Sequence, residues 1–265
     1  MPDARTPAVA GTFYPANPAA LNADLATYIN NAESSAPPPK AIIVPHAGYI
    51  YSAPIAASAY KAIAQGRENF QRVVLLGPSH HVSFHGIATS SASHFLTPLG
   101  AIAIDCDAVN QLLQLKQVHQ LDEAHAQEHS LEVQLPFLQT VLNDFLLIPL
   151  VVGSASAEEV AEVIEQLWGS DKTLIVVSSD LSHYQDYEHA RTTDQATTRK
   201  IETLHYQNIT GHDACGHHPL NGLLLAARHH HLRVTTVDLR NSGDTAGPHN
   251  KVVGYGAYLL HETVA

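Results

Sequence analysis

Histidines and carboxylates follow four short apolar segments of this sequence, close to the point where each segment ends. In chain order these residues are His46, His80, Asp180, His183 and Asp244. Ligands of open α/β sheets bind beyond the carboxyl ends of the strands, so these side chains can converge if the strands are parallel. Imidazole is an acid–base group near neutral pH and the commonest metal ligand. The pattern therefore predicts one site for metal or proton-transfer chemistry.

Two imidazoles and one carboxylate make up the facial triad that holds Fe(II) in non-haem oxygenases. We predict His46, His80 and Asp244 as the ligands, and His81 is the alternative to His80 in the run GPSHH. Fe(II) is the metal that this donor set favours, and copper and zinc are the other candidates. The competing interpretation is that each histidine only forms a hydrogen bond that caps a loop.

Asp180 and His183 lie three residues apart in the run SSDLSH, directly after an apolar segment. A carboxylate at this spacing can orient the imidazole, which would then act as a general acid or base. The alternative interpretation is that both side chains form structural hydrogen bonds, because the polar backbone at the end of a strand must be satisfied.

Two further residues near predicted helix starts are candidates for the same site. His129 would share a helix face with Glu132, although acidic residues in a first turn also simply stabilise a helix. We assign His129 a hydrogen-bonding role at the rim of the site. Cys215 precedes a helix-like segment that could lower its thiol pKa, and a small buried residue in a turn is the competing interpretation.

Short β-branched segments alternate with helix-like segments through most of the chain. Alternation of this kind favours a layered α/β/α sandwich with a central mixed, mostly parallel sheet. Pro149 argues for a bulge or an edge within its strand. The strands are predicted at 41–44, 72–76, 101–104, 145–152, 173–177, 233–239 and 251–260. The helices are predicted after Asn17-Pro18 and around 53–65, 106–116, 130–142, 157–168, 189–205 and 221–230.

The chain length and one Pro-rich segment define the expected domain organisation. The 265 residues are predicted to form a single domain over 1–265, which is long enough for a sizeable core. The Pro-rich segment 34–40 follows only an N-terminal helix, so we interpret it as a spacer and not as a domain boundary.

The acidic composition argues against several classes of partner. The chain has 14 Lys and Arg against 25 Asp and Glu, a net charge of -11, so we expect no nucleic acid and no membrane partner. No apolar run approaches the roughly 18 residues of a membrane span, and we find no targeting signal. Two cysteines cannot form a disulfide framework, so a reducing cytoplasmic location fits best.

A series of ordered motifs resembles the Memo family, which includes the B component of the AmmeMemoRadiSam system. The motifs are AGTFYP, PHAGYIYS, GPSHH, EHSLEVQLPFL, SSDLSHY, CGHHP, NSGD and VGYGA. The resemblance runs from Gly11 to about Tyr258 and so covers nearly the whole chain. None of the motifs is decisive alone, but their number and order indicate the family.

The resemblance implies a fold similar to that of class III extradiol dioxygenases, an α/β sandwich whose iron is held by two histidines and a carboxylate. It implies His46, His80 and Asp244 as the ligands, and so selects the first histidine of GPSHH. It also implies that Asp180 and His183 line the same pocket. Radical SAM and Ammecr-type proteins are the partners that it implies, because relatives are associated with them or fused to them.

We therefore expect a metal-dependent enzyme of the oxidoreductase or dioxygenase type that acts on an unknown small-molecule substrate. In this hypothesis His183 moves protons and Asp180 orients its ring. The residues expected to shape the substrate pocket are Tyr49, His81, Tyr184 and Cys215. Two alternatives stay open: a module that binds a phosphorylated peptide without turnover, and a metal-dependent hydrolase that activates water.

Overall fold

A mixed β-sheet forms the centre of this computed structural model, which describes residues 3–263. The strands in chain order are β1 (Ala4–Arg5), β2 (Ala41–Val44), β3 (Arg72–Pro78), β4 (Ile87–Thr89), β5 (His94–Thr97), β6 (Gly100–Ala103), β7 (Val118–Gln120), β8 (Leu146–Val152), β9 (Thr173–Ser178), β10 (His183–Gln185), β11 (Leu232–Asn241) and β12 (Val252–Glu262). The central sheet has the order β10-β12-β2-β9-β3-β8-β4-β7, and β11 also pairs with β12. A smaller sheet contains β1, β5 and β6.

The strands β2, β9, β3 and β8 are neighbours in the central sheet and run parallel. β12 is antiparallel to β2, and it carries β10 and β11 as antiparallel partners. The prediction of an α/β fold with a central mixed sheet is therefore confirmed. Because parallel strands end at the same edge of a sheet, the loops after β2, β3 and β9 meet there.

Helices connect the strands and cover the sheet. They are α1 (Pro18–Asn31), α2 (Tyr49–Ala64), α3 (Cys106–Leu112), α4 (Asp122–Ala126), α5 (His129–Glu132), α6 (Leu135–Val141), α7 (Ala157–Leu167), α8 (Tyr187–Glu202) and α9 (His217–His229). The Asn17 carboxamide accepts hydrogen bonds from the first turn of α1, and Ser156 and Glu159 form a capping box on α7. Within residues 3–263, no helix is long and apolar enough to cross a lipid bilayer.

Both faces of the central sheet are covered. Every residue of β2 and β9 is buried, and successive side chains of a strand point to opposite faces. α1, α2 and α6 pack on one another, and α2 also contacts β2, β11 and β12. α7 packs on α9, which contacts β3 and β9. Strands that are apolar throughout their length require this cover on both sides.

Two prolines explain local features of the fold. The helix predicted at 130–142 is divided into α5 and α6, and Pro136 lies in the first turn of α6, where a missing N–H is tolerated. Pro149 lies within β8 opposite Leu75 of β3. β4 pairs with β8 only at Val151 and Val152, so Pro149 lies where β8 has no β4 partner. Pro149 therefore lies at an unpaired stretch of β8 on its β4 side, although β8 as a whole is an inner strand of the sheet.

One buried carboxylate ties the N-terminal segment to the body of the protein. Glu132 of α5 forms an ion pair with the guanidinium of Arg5, and both side chains are buried. The same carboxylate accepts hydrogen bonds from Ala8 N–H at 2.7 Å, Val9 N–H at 3.0 Å and the Tyr14 hydroxyl at 2.6 Å. Glu132 therefore fixes the short helix that begins at His129.

Replacing Glu132 with alanine is expected to lower the free energy of unfolding by about 3–5 kcal/mol, because Arg5 would stay buried without its partner. Urea unfolding followed by circular dichroism measures this loss. The matched control is Glu68→Ala at an exposed glutamate, which should change stability by less than about 0.5 kcal/mol. A Glu132→Ala variant as stable as the control would contradict the anchoring role.

Candidate metal centre

A cavity of about 780 Å³ lies where the loops after β2, β3 and β9 meet. His46 follows β2 and His80 follows β3. Asp180 and His183 follow β9. All four side chains line the cavity, so the structure brings these residues from three strand ends together.

Three side chains form a group with the spacing of metal ligands. Ligand atoms of His46, His80 and Cys215 all lie within 4.8 Å of one another. Cys215 reaches the group from the segment before α9, and its Sγ is 3.2 Å from Nε2 of His46. A thiol thus occupies the place in the group that the sequence assigns to the carboxylate of Asp244.

The hydrogen bonds around His46 fix its tautomer. The Ser178 hydroxyl donates to the carbonyl of Ser130 at 2.6 Å, so its oxygen accepts from Nδ1 of His46 at 2.9 Å. Nδ1 therefore carries the proton, and Nε2 keeps a lone pair near the sulfur of Cys215. Burial lowers the pKa of His46 to about 3, with the His80 imidazole as a further cause, so the ring is neutral at pH 7.

Glu128 accepts a hydrogen bond from Nδ1 of His80, as Ser178 does from Nδ1 of His46. Burial raises the pKa of Glu128, but hydrogen bonds from His80 outweigh this effect and lower it to about 2. The ionised carboxylate accepts from the backbone N–H of His80 at 2.6 Å and from its Nδ1 at 2.8 Å. Because a carboxylate can only accept, Nδ1 of His80 carries a proton, and Nε2 is the ring atom that would bind a metal.

The start of α9 brings Cys215 to the end of β9. The Sγ atom accepts a hydrogen bond from the N–H of Asp180 at 3.3 Å, and the next residue, Gly216, caps α9. A Cβ on Gly216 would lie 2.7 Å from Cβ of Ser179, so this close approach requires glycine. Burial raises the pKa of the Cys215 thiol, and binding of a metal would remove its proton.

Asp180 and His183 are oriented by different partners. The Asp180 carboxylate accepts a hydrogen bond from the backbone N–H of His46 at 2.7 Å, and burial raises its pKa. His183 donates from Nδ1 to the carbonyl of Leu181 at 2.9 Å, which leaves Nε2 as the acceptor atom of the ring. The sequence predicts that Asp180 orients the ring of His183. In the structure the carbonyl of Leu181 forms the hydrogen bond that orients it.

His129 packs on the candidate ligands. Its ring is stacked on that of His80 with centroids 4.5 Å apart, and it contacts the ring of Phe13 at 4.9 Å. His80, Glu128 and His129 form a second group of closely spaced ligand atoms. The Glu128 carboxylate already accepts hydrogen bonds from His80 and from the N–H of Ser130. We therefore interpret Glu128 as the residue that orients His80, and not as a metal ligand itself.

Asp244 lies outside both groups of possible ligands. Its carboxylate accepts hydrogen bonds from the Tyr187 hydroxyl at 2.5 Å and from the N–H of Asn241 at 2.9 Å, and it lines a separate cavity. Two physical reasons account for this placement. β12 separates β11 from β2, and the 3-10 turn after β11 uses the carboxylate as its own cap. The third member of the group with His46 and His80 is Cys215, and the role of Asp244 as a ligand stays a prediction.

The other residues expected in the substrate pocket divide between the cavity and its surroundings. Tyr184 lines the cavity. Tyr49 is buried in the core, where its hydroxyl donates to the carbonyl of Val133 at 2.8 Å. His81 is exposed, and its ring centroid is 6.2 Å from that of His129. The pocket therefore differs from the expected one at Tyr49 and His81.

Several residues of the site carry no role in the sequence-based prediction. They are Phe13, Tyr51, Glu128, Ser178, Lys251 and Tyr255. Glu128 and Ser178 lie inside motifs recognised in the sequence, directly beside His129 and Ser179. This position is the sequence signal that could have indicated their roles in the site. Lys251 lies at the start of a segment predicted only as a strand, where no local pattern indicates a cavity.

Comparison with known proteins identifies the family of this chain. The family model described as Memo-like protein matches residues 5–259. The chain belongs to the Memo family. Relatives called MEMO1 family proteins are 34% identical in Metallosphaera sedula and 37% identical in Aquifex aeolicus, and each match covers 95% of this chain and 97% of the relative. The family membership predicted from the motifs is confirmed.

A solved structure shares the fold of this Memo-family chain. An uncharacterized protein from Escherichia coli K12 aligns with a TM-score of 0.51 and 12% sequence identity. The alignment covers 82% of this chain and 98% of that protein. At this identity the similarity shows the fold alone, so any activity must be argued from the site.

The donor atoms of the group fit a metal ion. Two imidazoles and one thiol are common protein ligands, and both imidazoles have the hydrogen-bonded Nδ1 that metal-binding histidines normally show. His46, His80 and Cys215 would hold the ion. The thiol is a softer donor than the expected carboxylate, so zinc and copper fit these residues as well as iron does.

Glu128→Gln is expected to weaken metal binding by about 10- to 100-fold, because His80 loses the carboxylate that fixes its ring. Competition with a chromophoric chelator for Zn²⁺ or Fe(II) measures the affinity, and circular dichroism checks the fold. The matched control is Glu123→Gln at an exposed position of α4. Equal metal affinities of the two variants would show that Glu128 does not position His80.

Proposed function

We propose that this Memo-family protein is a metal-dependent oxidoreductase of the non-haem, dioxygenase-like type, and that it acts on a small molecule in the cavity of about 780 Å³. The observation that carries the proposal is the group formed by His46, His80 and Cys215 beside this cavity. Three protein ligands leave coordination positions open, as catalytic metal sites require. The cavity provides the space that a substrate needs next to those positions.

Iron is the proposed metal, and copper is the alternative that the thiolate of Cys215 favours. A redox-active metal held by these residues would supply electron transfer between a substrate and O₂. Zinc fits the same donors but supports hydrolysis, because it has no accessible second oxidation state. The metal therefore decides which of the reaction classes is available to the site.

Residues of the chain supply proton transfer and an apolar wall. His183 lines the cavity and presents Nε2 as an acceptor, so it can take a proton from a substrate hydroxyl. Asp180 holds the backbone of His46 in place and also lines the cavity. Phe13 packs against His129 and limits the access of water from that side.

The two alternative functions have less support in the composition of the cavity. Phosphopeptide recognition normally uses clusters of arginine. Among the described residues that line the cavity, Lys251 is the only lysine or arginine. A metal-dependent hydrolase would use the same ligands but no O₂, so oxygen consumption separates it from an oxidoreductase.

Oxygen uptake by metal-loaded protein tests the proposal. The protein is loaded anaerobically with Fe(II) or Cu(I), moved to aerated buffer and assayed with a panel of small catechols and phenols. We expect uptake above that of the metal-free protein. For His183→Gln we expect a loss of at least about 100-fold, because the variant removes the general base. His119→Gln, at an exposed histidine of β7, is the matched control.

Folded, metal-bound protein that consumes no O₂ with any probe would contradict the oxidoreductase proposal. Ester hydrolysis by zinc-loaded protein under the same conditions would then favour the hydrolase. An O₂ uptake rate for His183→Gln equal to that of the His119→Gln control would remove the proton-transfer role of His183.

A further inference from the structure

One fixed positive charge lies at the wall of the cavity. Lys251 is exposed and forms no ion pair with any residue in 3–263, although the chain has 25 Asp and Glu against 14 Lys and Arg. Its Nζ lies over the ring of Tyr184, 4.6 Å from the ring centroid. The ammonium therefore has an aromatic contact at the cavity and no carboxylate of residues 3–263 within ion-pair distance.

Tyr184, whose ring lies next to the Lys251 ammonium, has a strained backbone conformation. Tyr184 has a φ of 62°, in the left-handed region that bulky side chains rarely adopt. The residue is 67% exposed, so burial of its ring does not offset the cost of this conformation. Strain of this kind is concentrated at binding and catalytic sites, where a fixed side-chain position is needed. In this conformation the ring of Tyr184 lies next to Lys251.

A tyrosine hydroxyl in the same cavity has no hydrogen-bond partner among residues 3–263. Tyr255 is 1% exposed and lines the cavity, and its hydroxyl forms no hydrogen bond within the described chain. This hydroxyl can therefore donate a hydrogen bond to a ligand in the cavity. The rings of Phe13 and Tyr51 and the side chain of Val253 add apolar walls. The cavity thus adds apolar walls, the Tyr255 hydroxyl and the Lys251 ammonium to the polar side chains of the candidate metal centre.

We infer that the cavity binds a small organic anion, whose carboxylate or phosphate pairs with Lys251 while its apolar, ring-sized body lies between Phe13 and Tyr51. Tyr255 donates a hydrogen bond to a polar substituent of this ligand. Carboxylate and phosphate share the chemistry that an ammonium recognises, because lysine acts as a point charge on either group. The inference rests on the proposed function in placing the substrate in this cavity, and it adds the charge of that substrate.

Binding of matched fragments to the metal-free protein tests this inference. The probes are benzoate and phenyl phosphate as anions and benzamide as their neutral analogue, and calorimetric or NMR titration gives each Kd. Metal-free protein is used because a bound metal would itself attract the anions. We expect at least one anion to bind roughly threefold to fivefold more tightly than benzamide, as an exposed ion pair allows. The tighter of the two anions identifies the preferred acidic group.

Lys251→Gln is expected to abolish the preference for the anion and to leave the affinity for benzamide unchanged. Lys116→Gln, at an exposed lysine outside the cavity, should keep the preference. Equal binding of anions and benzamide by the wild type, no measurable binding of either anion, or an unchanged preference in Lys251→Gln would each overturn the inference. Failure to bind metal would overturn the proposed function alone, because the titration contains no metal.

Discussion

The candidate metal centre depends on the hydrogen bonds that hold the Nδ1 atoms of two histidines. A histidine binds a metal through a neutral ring whose other nitrogen carries the proton. The Ser178 hydroxyl oxygen accepts a hydrogen bond from Nδ1 of His46 at 2.9 Å, and the Glu128 carboxylate accepts one from Nδ1 of His80 at 2.8 Å. Both acceptors are buried, so water does not compete for them. Without these acceptors each ring could rotate or take the other tautomer, and Cys215 would have no oriented partners.

Elements that are distant in sequence supply these acceptors. Ser178 is the last residue of β9, and Glu128 is the cap of α5. The other end of α5 carries Glu132, which binds the N-terminal segment through Arg5 and several hydrogen bonds. Cys215 arrives at the start of α9. The ligand group therefore forms only when the parallel strands, α5, α9 and the N-terminal segment are packed together, which couples the site to the fold.

Most of the fold and part of the site could be predicted from the sequence. Short β-branched segments mark the strands, and parallel strand ends explain why His46 and His80 share the cavity. Asp244 also follows a strand, but the order of strands decides which ends are neighbours, and no local pattern reveals that β12 separates β11 from β2. The sequence predicts Cys215 in the pocket, and the structure confirms that it lines the cavity. Its place beside His46 depends on the packing of a helix start on β9, a tertiary contact that a single sequence does not display.

Metal content of folded variants tests most directly whether Cys215 is the third ligand. Wild type, Cys215→Ser and Asp244→Asn are loaded anaerobically with Fe(II), Cu(I) or Zn²⁺, desalted, checked by circular dichroism and analysed by mass spectrometry for bound metal. We predict that wild type and Asp244→Asn each retain a single ion, and that Cys215→Ser loses it, because the variant removes the thiolate from the group. Retention of metal by Cys215→Ser, together with its loss from Asp244→Asn, would contradict the assignment.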